Sequence, residues 1–133
     1  MEFKNLNIKE DLIKTLNKNG IKTPTKIQEK SIPYIQNNMD IIAEAQTGSG
    51  KTLSFLLPII NNLSNEDYIK CLILTPTREL AIQITNEALK LNENLSILSA
   101  YGGKDINSQI KKLKNNINIV IATPGRLIDH IMR

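Results

Sequence analysis

The chain has 133 residues, 41% hydrophobic and 23% charged, with a net charge of +4. That length suits one small soluble domain, and no apolar run reaches the roughly 20 residues a membrane-spanning helix needs. The single Cys71 excludes an internal disulfide and fits a reducing, cytoplasmic setting, and Met1-Glu2-Phe3-Lys4-Asn5 has no signal pattern. The small basic excess is compatible with nucleic acid without requiring it. With 4% aromatics and no Trp, the core must be built mostly from Ile and Leu.

Ile8, Leu12, Ile13 and Leu16 share one helical face, and Gly20 is placed to end that helix. A second helix is expected to open at Thr23-Pro24 and run towards Asn38, interrupted near Pro33. Ile41, Ile42 and Ala43 predict a short strand over 40–45, followed at once by Thr47-Gly48-Ser49-Gly50. A helix from Lys51 to about Leu63 comes next, bent at Pro58, and Asn61 to Asp67 reads as a polar loop. Cys71 to Thr75 predicts a buried strand, and Leu80, Ala81, Ile84, Ala88 and Leu91 form the apolar face of the helix after it. Ser96 to Ala100 predicts a strand, Ile106, Ile110 and Leu113 an amphipathic helix, Ile117 to Thr123 a strand, and Gly125 to Met132 a helix. Strands alternating with helices predict an α/β fold with a mainly parallel sheet, whose ligands bind at the carboxyl ends of the strands.

Ala45-Gln46-Thr47-Gly48-Ser49-Gly50-Lys51-Thr52 stands between an expected strand and an expected helix, the setting in which a phosphate loop is credible. Gly48 and Gly50 let the backbone curl until several N–H groups face one anion, and the helix adds its positive end. Lys51 can neutralise β/γ-phosphates and the Thr52 hydroxyl can hold Mg²⁺. The general pattern begins with Gly where this chain has Ala45.

Thr-Pro recurs at Thr23-Pro24, Thr75-Pro76 and Thr123-Pro124, each expected to open a helix with Thr as cap and Pro in the first turn. Plain capping would explain them, but two follow expected strands, which puts their N–H groups on the ligand edge of the sheet. Arg78 and Arg126 follow these two and can grip phosphates, and Gly102-Gly103 lets a backbone come close. The pattern suggests two anion tracks: a nucleotide at Lys51, and a longer polyanion over Thr77-Arg78, Gly102-Gly103 and Thr123 to Arg126. A nucleic-acid backbone suits the second.

These residues resemble the motif series of DEAD-box RNA helicases. Gly20-Ile21-Lys22-Thr23-Pro24-Thr25-Lys26-Ile27-Gln28 resembles the Q motif, with Phe3 as its upstream aromatic, and 45–52 resembles motif I, including the family's Ala start. Pro76-Thr77-Arg78-Glu79-Leu80-Ala81-Ile82-Gln83 resembles motif Ia, Gly102-Gly103 the GG motif, and Thr123-Pro124-Gly125-Arg126 motif Ib. Order and spacing agree over nearly the whole chain. The resemblance implies a P-loop NTPase (RecA-like) three-layer sandwich, with a Q-motif region over 1–29 and a P-loop core over 30–133.

It also implies roles. ATP and Mg²⁺ would be bound by Phe3, Ile21, Thr23, Gln28 and the 45–52 loop, with Gln28 reading the adenine edge, Thr25 holding the Q-motif loop, and Lys51 and Thr52 acting in catalysis. RNA would be met by Pro76, Thr77, Arg78, Gly102, Gly103, Thr123, Pro124, Gly125 and Arg126, through backbone contacts that carry no sequence code. Ile21 stands where the family usually has an aromatic ring stacked on adenine, which implies weaker nucleotide binding; Lys26 replaces a common Pro at the surface. The Asp-Glu-Ala-Asp motif would follow soon after Arg133, so the sheet is expected to be incomplete and the chain alone inactive in hydrolysis. A binding module without turnover is the alternative; an unrelated P-loop ATPase leaves Gln28, Arg78 and Arg126 without a job.

Other residues are expected to be structural. Cys71 reads as a core thiol and His130 as a surface helix residue, while Lys104, Lys111, Lys112 and Lys114 form a solvated face.

Overall fold

The computed structural model describes residues 1–46, 48–63, 69–103 and 105–132. Thr47, residues 64–67 of the expected polar loop and Lys104 lie outside the described residues. The chain divides into two compact units, Met1–Leu63 and Ser64–Arg133.

The first unit is helical. After a 3-10 turn over Phe3–Leu6 come α1 (Glu10–Lys18), α2 (Lys26–Gln36) and α3 (Lys51–Asn61). Helix α1 buries Leu12 and Leu16, with Ile8 buried just ahead of it. It ends as its pattern predicts: Gly20 takes φ +80°, Gly20 N–H donates to Asn17 O at 3.1 Å and Ile21 N–H to Leu16 O at 2.9 Å, a Schellman close. Leu16, Ile32, Leu56 and Leu57 are fully buried, and each such side chain contributes about 1.5–3 kcal/mol, more than a typical hydrogen bond.

Three expectations are corrected here. Helix α2 starts at Lys26 with Thr25 as its cap, two residues later than Thr23-Pro24 implied. The residue before a proline is pushed to extended backbone, and the Thr25 hydroxyl is the one that accepts from a first-turn N–H, that of Gln28. Pro33 does not interrupt α2, which continues to Gln36 at the cost of one missing donor. Residues 40–45 form no strand: Ile42 is 95% exposed and Ile41 38%. A strand is stabilised by its pairing, and among the described residues this segment has no partner strand.

The second unit is an α/β layer stack. Strands β1 (Cys71–Leu74), β2 (Ile97–Ala100) and β3 (Ile119–Ala122) make an all-parallel sheet in the order β1-β3-β2. The register aligns Leu74 and Ala100 with Ala122, so the three carboxyl ends finish level. Helix α4 (Arg78–Leu91) lies on the face of Ser99, whose hydroxyl is 2.8 Å from that of Thr85. Leu98, Ala100, Val120 and Ala122 point the other way, where Leu113 of α5 (Ile106–Leu113) and Leu127 of α6 (Pro124–Ile131) pack on them. Central β3 is buried on both faces.

Strand β1 is not the buried strand its CLIL run suggested. Leu72 and Leu74 are 50% and 55% exposed, because β1 is an edge strand and the α5/α6 face is only partly covered. A 170 Å³ apolar cavity opens there between Leu72, Leu113, Val120 and Leu127. Cys71 is accordingly half-buried, and burial raises its thiol pKa above the ordinary 9.0. Helix α4 is capped by Thr77 and not by Thr75-Pro76, another one-threonine offset; only Thr123-Pro124 opens its helix as expected, with Pro124 at the first position.

Candidate nucleotide and nucleic-acid sites

The phosphate loop belongs to the first unit. Gly48 and Gly50 have φ of +84° and +89°, Ser49 N–H donates to Gln46 O at 3.2 Å, and Gly50 caps α3 with no side chain in the way. The start of α3 is thereby bare, with Lys51 exposed on its first turn and Thr52 half-buried beside it. The fit to an oxygen-rich anion shows in two details. Ser49 Oγ is shielded from solvent and meets no hydrogen-bond partner among the described residues. A Cβ at Gly50 would sit 2.5 Å from Gln28 Nε2 and 3.0 Å from Thr25 Oγ1, so only glycine fits that turn.

Gln28 is 1% exposed and spent on this cradle. Its Oε1 accepts from Thr25 N–H at 2.9 Å, closing a capping box, and its Nε2 donates to Gly50 O at 3.1 Å. The same carbonyl accepts from Ser54 Oγ at 3.2 Å. The Q-motif glutamine thus latches the helix start of α2 to the phosphate loop. Thr23 is exposed, Ile21 half-buried, and the Phe3 ring is buried at 2% exposure, packed inside the unit.

The second unit carries the other candidate residues along one sheet edge. Thr75 N–H donates to Ala122 O and Thr123 N–H to Ala100 O, both at 2.9 Å, so the segments leaving β1, β2 and β3 start side by side. Thr77 Oγ1 accepts from Leu80 N–H at 3.2 Å, while Thr75 Oγ1 donates to Thr77 O at 2.9 Å. Gly103 has φ +89°, and a Cβ there would lie 2.6 Å from Arg78 Nη1. Arg78 of the first segment therefore rests on the glycine turn of the second. Thr123 makes no side-chain cap, and Pro124 and Gly125 are exposed.

Arg126 is tied in through a residue that sequence reasoning missed. Its Nη1 donates to Gln109 Oε1 at 3.2 Å, its Nε lies 3.8 Å from Asp129, and its side chain is 13% exposed. Gln109 is 3% exposed, and its Nε2 donates to Tyr101 O at 3.2 Å. His130 also reaches Gln109 Oε1 at 2.9 Å, which corrects its reading as a plain surface residue. The signal was available: Gln109 lies on the Ile106–Ile110–Leu113 stripe, a polar residue in an apolar row. In the first unit Asn61 was missed likewise; it accepts from Lys9 N–H at 2.7 Å and donates to Asn7 O at 3.0 Å. Lys111, Lys112 and Lys114 are exposed, as expected, and no His, Cys, Asp or Glu cluster able to hold a metal occurs among the described residues.

A glycine loop at a bare helix start and, in the other unit, a parallel sheet with arginines beyond its carboxyl edge are features of α/β proteins of the P-loop class. Comparison with known proteins narrows this. The profile of the DEAD/DEAH box helicase family matches residues 25–133. The chain is 47% identical over 131 residues to a DEAD-box ATP-dependent RNA helicase, RhpA of Helicobacter pylori, covering 97% of this chain and 27% of that protein. It is 48% identical over 136 residues to a probable ATP-dependent RNA helicase of Methanocaldococcus jannaschii, 100% of this chain and 37% of the other. A crystal structure of a DEAD box protein from the hyperthermophile Methanococcus jannaschii superposes with a TM-score of 0.93 at 48% identity, over 100% of this chain and 37% of that one. The chain belongs to the DEAD/DEAH box helicase family, and it spans about a quarter to somewhat over a third of the length of these relatives.

Proposed function

We propose that this chain is the ATP- and RNA-binding front part of the first RecA-like domain of a DEAD-box ATP-dependent RNA helicase, comprising a Q-motif region over 1–29 and a P-loop core over 30–133. The observation that carries the proposal is the latch from Gln28 to the Gly50 carbonyl, which joins the base-reading motif to the phosphate loop. Backbone N–H groups of Gly48, Gly50 and the start of α3 bind the phosphates, Lys51 neutralises them, and Ser49 Oγ gains an oxygen to bond. The Thr52 hydroxyl would be among the groups that hold Mg²⁺, whose charge would offset that of the phosphates. To read adenine, the Gln28 amide exchanges its bond to Thr25 N–H or to the Gly50 carbonyl for one to the base, so base recognition and loop shape depend on one amide, with Ile21 and Thr23 nearby in the chain.

Along the sheet edge, Thr77, Arg78, Gly102, Gly103, Thr123 and Arg126 hold an RNA backbone without reading its bases, with Pro76, Pro124 and Gly125 shaping the two helix starts. In the longer protein ATP binding and hydrolysis would drive local duplex separation. The Asp-Glu-Ala-Asp carboxylates are not among these 133 residues, so this stretch binds without turnover.

Calorimetric titration with Mg-ADP and Mg-GDP tests the proposal. Saturable ADP binding, weaker by about 10-fold or more for GDP and lost in Lys51→Ala, is the expected result, since guanine offers the Gln28 amide no matching edge in exchange for the internal bond it gives up. Equal binding of the two nucleotides would remove the adenine role of Gln28. No binding of either would remove the nucleotide site from this chain.

A further inference from the structure

Arg126 carries a charge that an RNA phosphate needs, yet a free arginine loses rotamer entropy when it binds. The structure holds it in place beforehand. Gln109 Oε1 accepts from Arg126 Nη1, and the other end of the amide is fixed by donation to Tyr101 O at 3.2 Å and, more weakly, to Ser99 O at 3.5 Å. A flipped amide would set donors against the arginine and an oxygen against two carbonyls, so one orientation is selected. Tyr101 immediately precedes Gly102-Gly103, and Arg126 closes the Thr-Pro-Gly-Arg segment. One buried side chain thus joins the turn after β2 to the helix after β3. The acceptor is neutral. The amide itself takes nothing from the guanidinium charge, and the Asp129 carboxylate, 3.8 Å from Nε, is itself 57% exposed and screened by solvent.

We propose that Gln109 is a positioning residue that holds Arg126 ready for an RNA phosphate. The proposal rests on the RNA-binding reading of the sheet edge, and its test separates the two. Affinity of the chain for a fluorescent oligouridine is measured across a salt series for wild type, Arg126→Ala, Gln109→Met and Gln109→Glu. Arg126→Ala should weaken binding about 10-fold and lower the salt slope by about 0.7, one phosphate contact on a single strand. Gln109→Met should cost about 3-fold with the slope unchanged, because the charge stays but is no longer placed. Gln109→Glu should resemble Arg126→Ala in both affinity and slope.

Side-chain ¹⁵N NMR of Arg126 supplies the arm that needs no RNA: slow guanidinium rotation in wild type and averaged Nη signals in Gln109→Met. Averaged signals already in wild type, or no loss of affinity in either Gln109 variant while Arg126→Ala binds weakly, overturns the positioning role. Wild-type affinity in Arg126→Ala overturns the RNA reading at this residue and the role with it, while slow rotation would still establish the tether. Should Gln109→Met fail to fold, by its circular dichroism spectrum, Arg126→Lys replaces it. Arg126→Lys keeps the charge without the Nη1 bond, so a 3-fold loss at constant slope supports the proposal and full affinity overturns it.

Discussion

The two units place their candidate anion-binding residues by opposite means. In Met1–Leu63 the cradle is local: a backbone turn with two positive-φ glycines, braced from behind by the Gln28 amide and Ser54 hydroxyl on a single carbonyl. In Ser64–Arg133 the candidate residues sit on three separate chain segments, and the sheet register brings their starting points level. A cradle of the first kind has little slack, because its shape is set by backbone pinned at Gly50. An edge of the second kind tolerates change more readily at Arg78, whose guanidinium rests on the Gly103 turn, than at Arg126, which Gln109 and Asp129 hold.

Substitutions that add one methyl to each site should expose this difference. Gly50→Ala puts a Cβ 2.5 Å from a pinned, buried amide at φ +89°, and should destabilise by about 2–4 kcal/mol, read as the unfolding midpoint in urea. A loss below about 1 kcal/mol would mean the latch is soft. Asn61→Ala strands Lys9 N–H and Asn7 C=O in a 5% exposed position and should cost about 2–3 kcal/mol in the same measurement. Gly103→Ala meets only the mobile end of Arg78, so its cost should be the backbone strain, about 1–2 kcal/mol, with a modest loss of RNA affinity as Arg78 is displaced. Equal destabilisation by Gly50→Ala and Gly103→Ala would erase the contrast between the units.

The smallest effect concerns Cys71. Its folded pKa is raised by burial, so above the free value of 9.0 the unfolded chain ionises first and the folded state holds more protons. Stability is whole below that pH and falls as pH rises through it. Cys71→Ala should flatten the alkaline limb of a stability-against-pH curve, and iodoacetamide should label Cys71 more slowly than a free thiol.

Much of this was legible in the sequence where the signal is periodic or local. The three sheet strands, the Gly20 close of α1 and the glycine positions of the phosphate loop follow from apolar spacing and from φ that only glycine adopts cheaply. What was not legible depends on partners. Residues 40–45 have strand composition, but a strand is a pairing property. Leu72 and Leu74 look like core in a CLIL run, but edge position decides their exposure. The Thr-Pro pairs misplaced two helix starts by looking to the threonine before proline, when the threonine after it has the geometry to cap. Asn61 bonds to backbone groups of Asn7 and Lys9, far off in the chain, a relation no local window contains, whereas Gln109 left a trace as a polar residue in an apolar row.

The open side of β1 bears on the protein's behaviour as a colloid. Its outer edge pairs with no strand among the described residues, and Leu72 and Leu74 add apolar surface beside it. Such an edge accepts another extended backbone in parallel or antiparallel sense. What opposes this is charge: a net +4 repels like molecules, and Lys70 stands at the entrance to the strand. Added salt shortens the range of that repulsion and leaves the apolar attraction intact. Self-association of this chain should therefore rise with ionic strength, opposite in sign to its binding of RNA, and the two salt responses together set the concentration window in which it can be handled as a monomer.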